Sequence, residues 1–133
     1  MVNNLAQVTP DFLGAVQTAM YRASNHPDPA VRYAANNVPI YPFPKADRSQ
    51  ANAAGCPNCT YLGLWADHWS GYPTKRHGLI WLFEDGIRRD GADLDACVYN
   101  VLMHEIDHAL QRDHILEAMR DQRVAAYMVQ ARP

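Results

Sequence analysis

His104, Glu105 and His108 stand at positions i, i+1 and i+4, and His114 follows six residues further on. On a helix the i, i+4 spacing stacks two imidazoles on one face, one turn apart. Two neutral imidazoles on one face can share a zinc ion. Glu105 then falls next to the water such an ion would activate, where a carboxylate can accept a proton and return it. A catalytic zinc takes three protein ligands and leaves a fourth position for water. His104 and His108 would supply two of them.

This chemistry needs a helix, and the local sequence supplies one. Residues 92–112 contain no Gly or Pro, and apolar residues recur at Leu94, Val98, Val101, Leu102, Ile106, Ala109 and Leu110. That spacing predicts a helix with a buried stripe. Asp93 is the expected N-cap, with Asp95 near the positive helix end.

Other elements must support that helix. Residues 10–24 predict a first helix, capped by Thr9 and opened by Pro10, with Phe12, Val16, Ala19 and Met20 on its buried face. After the break at 26–29, residues 30–36 read as a short helix. Pro39, Pro42 and Pro44 make 38–44 extended chain, at best an edge strand. Residues 45–60 read as a loop and 61–65 as a short strand. Residues 78–83 are the strongest strand, with a turn or bulge at 84–86 and residues 87–89 extending it. Residues 115–130 read as a second helix, marked by Leu116, Met119, Tyr127 and Met128. The expected class is α+β: a small sheet packed on the histidine helix, followed by a C-terminal helix.

Composition narrows the function classes. A chain of 133 residues fits one domain, spanning 1–133. A net charge of −2, with basic residues scattered apart from Lys75-Arg76 and Arg88-Arg89, gives no footprint for nucleic acid or for an anionic membrane. No apolar run approaches membrane-spanning length. The first residues lack a basic region followed by an apolar stretch, so the expected compartment is the cytoplasm, although a mature form without its leader would read the same.

The His-Glu-Ile-Asp-His stretch is the H-E-x-x-H signature of zinc metallopeptidases, and with His114 it resembles the metzincin pattern H-E-x-x-H-x-x-G-x-x-H. The resemblance covers the motif and the strand–helix layout, about a third of the chain. It implies a minimal zincin-like domain, with Zn²⁺ held by His104, His108 and His114 and Glu105 as catalytic base. The strand before the helix would be an edge strand that pairs with an extended peptide substrate; as an ordinary core strand it would read the same. Two departures stand out. Gln111 occupies the glycine position where the metzincin helix ends, and left-handed backbone there costs a Gln about 1 kcal/mol. If the helix runs on, residue 114 lies about 120° round the axis from residue 108, too far to share its ion. Asp107 is also unusual at a site that is commonly uncharged. Met119 and Met128 are the only candidates for the methionine turn of that clan.

The same five residues look like the last motif of peptide deformylases, where Asp in the fourth place is usual and an upstream Cys is the third ligand. Cys59 is that candidate, but the rest of the deformylase pattern is missing around Gly55-Cys56-Pro57-Asn58-Cys59. Cys56 and Cys59 can also be read as half of a second metal site, with His68 and His77 as the nearby partners. A disulfide, with Cys97 as one partner to a loop cysteine, or plain thiols are the other readings.

The expected function is hydrolysis of peptide bonds in a peptide or protein substrate. Tyr127, Arg112, His68 and His77 are candidates for the second electrophile that the developing oxyanion requires. The competing expectation, from another class, is a zincin-like structural or binding module with a protein partner in a larger assembly, such as a phage particle.

Overall fold

The computed structural model describes residues 8–116 and 124–129, with the backbone alone for 111–116, 124 and 126–129. The fold is α+β. The elements are α1 (Pro10–Ser24), α2 (Pro29–Asn37), β1 (Ile40–Phe43), α3 (Arg48–Ala53), β2 (Thr60–Ala66), β3 (Leu79–Phe83), α4 (Glu84–Asp90), α5 (Leu94–Leu116) and β4 (Val124–Val129).

Local sequence explains most of the helix ends. The Thr9 hydroxyl accepts from Phe12 N–H, and Pro10 occupies the first turn of α1, where a missing N–H costs nothing. Asp28 caps α2 in the same way. In the segment read as a loop, Asp47 and Gln50 form a reciprocal capping box that starts α3. The Asp93 carboxylate accepts from Ala96 N–H at 3.2 Å and starts α5. Residues 87–89 do not extend a strand: α4 begins directly after β3 and runs through them.

The sheet has strand order β1-β3-β2-β4. β1 runs parallel to β3, while β2 is antiparallel to both β3 and β4. Two expectations are corrected here. The strand before the histidine helix, β3, is interior rather than an edge, because β1 covers its other side. The second helix expected over 115–130 is absent where described: α5 ends at Leu116 and residues 124–129 are the edge strand β4. Met119 lies outside the described residues, and Met128 stands in β4.

Side-chain alternation divides the core into two layers. Leu62, Trp65, Ile80 and Leu82 face α1, α2 and α5, joining Phe12, Val16, Val98, Val101, Leu102 and Ile106. Tyr61, Leu64, Ala66, Leu79, Trp81 and Phe83 face the opposite side, where α3 and an aromatic loop cover them. Among the described residues no helix is long and apolar enough to cross a membrane.

Candidate metal centre

α5 is the 23-residue helix that carries the motif. Val98, Val101, Leu102, Ile106 and Ala109 are buried along it. His104 is exposed and His108 half-buried, so the pair straddles the border between the buried and open faces. Their Nε2 atoms are 3.0 Å apart, and the rings meet edge to face with centroids 4.7 Å apart. Two nitrogens bound to one zinc at about 2.0–2.1 Å in tetrahedral geometry are separated by about 3.3 Å. The pair therefore fits one ion with little movement. The pKa of His108 lies below the usual histidine value, through burial first and the neighbouring His104 second, with Asp107 opposing. A ring kept neutral is a ring able to ligate.

Glu105 is fully buried, and an irregularity in β2 makes room for it. The β2–β4 register shifts between Tyr61 and Gly63. Tyr61 and Leu64 therefore face α3, while Leu62 and Gly63 both face the α5 side, as a β-bulge allows. A Cβ at Gly63 would stand 2.7 Å from Val101 Cγ1 and 3.0 Å from both Cγ and Oε2 of Glu105. The absent side chain is the space that the carboxyl of Glu105 uses. The only signal of this in the sequence is Gly63 itself, since a lone glycine within a strand marks a bulge or a close approach.

The other predicted residues are dispersed. His114 lies on the same continuous helix, which passes Gln111 without the turn that metzincins have there. Its side chain is outside the described ones. Among the described residues no group of three His, Cys, Asp or Glu side chains forms. Cys56 and Cys59 are joined to each other as a disulfide across a turn, with Cα atoms 5.5 Å apart, and so are neither a second metal site nor bridged to Cys97. The pair packs against the α3-side cluster, on the opposite face of the sheet from His104 and His108. A Cys-His-His site of deformylase type would need Cys59 on the other side.

His68 is an exposed loop residue near Asp67. His77 is buried, with Nδ1 3.2 Å from the carbonyl oxygen of Ala109, so this ring is engaged in holding α5. Tyr127 stands opposite Gly63 in the β2–β4 ladder. Arg112 contributes only its backbone to the description.

No protein-family model matches the chain, and comparison with curated proteins and with solved structures finds no match either.

Proposed function

We propose that the protein is a zinc-dependent peptidase in which His104 and His108 hold the metal and Glu105 is the general base. The observation that carries this reading is the convergence of the two Nε2 atoms at 3.0 Å on the helical turn that also carries the fully buried Glu105. Two surface histidines flanking a chance glutamate would leave all three side chains on the open face of the helix, whereas Glu105 is turned inward against Gly63 of β2. A strand that bulges at a glycine to accommodate it strengthens the chemical reading.

When bound, zinc would lower the pKa of a water molecule toward neutrality and polarise the scissile carbonyl. Glu105 would take the proton from the attacking water and pass it to the departing amine. Its enclosure against β2 means that surrounding water screens its charge weakly. For His114 to complete the ligand set, α5 has to open near Gln111, the position of the glycine in the metzincin pattern. β4 is the sheet edge next to Gly63, and its outer side is where an extended peptide would pair. Tyr127 is the electrophile candidate whose backbone register sets it opposite Gly63, the glycine that faces Glu105.

The test is hydrolysis of a quenched-fluorescence peptide library by zinc-loaded wild type and Glu105→Gln, with metal content measured on both. The reading expects cleavage by wild type, and loss of about a hundredfold or more in Glu105→Gln with zinc retained. Equal cleavage by both proteins would remove Glu105 from the mechanism. Zinc bound by both with cleavage by neither would favour a binding module.

A further inference from the structure

We infer that His77 is a positioning residue for the metal centre, setting the depth and rotation of α5 where it carries Glu105 and His108; this rests on the zinc reading above. His77 lies in the turn before β3, where Gly78 N–H donates to the Lys75 carbonyl at 3.0 Å. Its Nδ1 is 3.2 Å from Ala109 O, in the interior. A carbonyl oxygen can only accept, so Nδ1 carries the hydrogen. Ala109 follows His108 directly and lies one helical turn beyond Glu105.

The carbonyl of Ala109 already faces the N–H of residue 113 within the helix. The helix does not need a second donor there, so the bond from His77 acts on where the helix sits. His77 is itself held in place. Trp65 Nε1 donates to the His77 carbonyl at 2.5 Å. The ring of Tyr33 closes over the imidazole edge to face, with centroids 5.6 Å apart. Gly78 takes φ +83°, and a Cβ there would be 2.3 Å from Ala66 O and 2.8 Å from Trp65 Nε1, so the turn is seated against β2. A continuous strut runs from β2 through His77 to α5. The same strand places Gly63 beneath Glu105. One strand therefore sets the floor under the base and, through His77, the rotation of the helix.

The consequence is geometric. A rotation of α5 by about 10° would move side-chain ends by on the order of 1 Å. His104, Glu105 and His108 ride on α5 together, so the displacement is relative to β2: it alters the packing that holds the half-buried His108 and the buried Glu105 in their rotamers, and with that the geometry they offer a metal.

The test compares wild type with His77→Leu and His77→Asn. Leu fills much of the space but donates nothing, whereas the Asn amide supplies an N–H close to the position of Nδ1. Zinc dissociation constants are measured by competition with a chromophoric chelator, alongside melting of the metal-free proteins. The expected result is about tenfold or greater weakening of zinc binding in His77→Leu, largely restored in His77→Asn. Wild-type zinc affinity in His77→Leu, or equal weakening in both variants, would overturn the inference and leave the zinc reading intact. No zinc bound by wild type would end both. An independent check needs no variant: imidazole ¹⁵N shifts of the wild type should show the Nδ1–H tautomer at His77, and an Nε2–H tautomer would overturn the inference.

Discussion

Gly63 lies directly beneath Glu105: a Cβ on this glycine would sit 3.0 Å from both Cγ and Oε2 of the glutamate and 2.7 Å from Val101 Cγ1. The bulge in β2 turns position 63 toward α5, and the missing side chain leaves the carboxyl its place. The proposed base thus depends on a backbone feature three elements earlier in the chain.

Gly63→Ala is therefore expected to push α5 away from β2. Overpacking of this kind costs about 1–3 kcal/mol, which thermal or urea unfolding would register. Peptide hydrolysis should fall by about tenfold or more, because the Glu105 carboxyl loses its place against β2 and must take another rotamer relative to the histidines of its own helix. Full activity and unchanged stability would show that the contact is unimportant.

The pH dependence of the metal-free protein follows from His108. Burial, then the neighbouring His104, depresses its pKa, with Asp107 opposing. As pH falls, the unfolded chain binds this proton before the folded one does. Stability conferred at neutral pH should therefore decline below about pH 6.5, and the loss is complete once the pH is below the folded pKa. Urea midpoints in the presence of chelator, taken from about pH 7.5 to about pH 5, should fall less steeply for His108→Gln than for wild type. Identical slopes would mean that His108 is not the depressed group.

The Cys56–Cys59 disulfide closes a short turn on the α3 side of the sheet. Replacing both residues by Ser should cost about 2 kcal/mol on the loop-entropy estimate and leave zinc binding intact. Loss of zinc in Cys59→Ser would instead favour a cysteine-ligated site and contradict the placement described above.

The legible parts of the chain were those governed by local rules. α1 spans Pro10–Ser24, the segment expected from Thr9 and Pro10, and the residues before and after His104 carry an unmistakable helical stripe. The i, i+4 histidines followed from that helix alone. What failed depended on distant pairing. Val124–Val129 contains helix-tolerant Ala and Met and reads locally as helix, yet it pairs with β2 as the sheet edge. Sequence alone leaves residues 78–83 readable as an edge or a core strand, because nothing local announces a parallel partner 40 residues earlier in the chain. The role of Gly63 emerges only where β2 bulges against β4 and faces α5, and that of His77 only where its turn meets Ala109.

The most direct test of the central claim is the zinc content of the chain, refolded or expressed with zinc and then dialysed, for wild type, His104→Ala and His108→Ala. The account predicts one zinc per wild-type chain and its loss in both variants, with folding preserved by circular dichroism. Absence of zinc from wild type supplied with the metal, or its retention after either histidine is removed, would contradict the account.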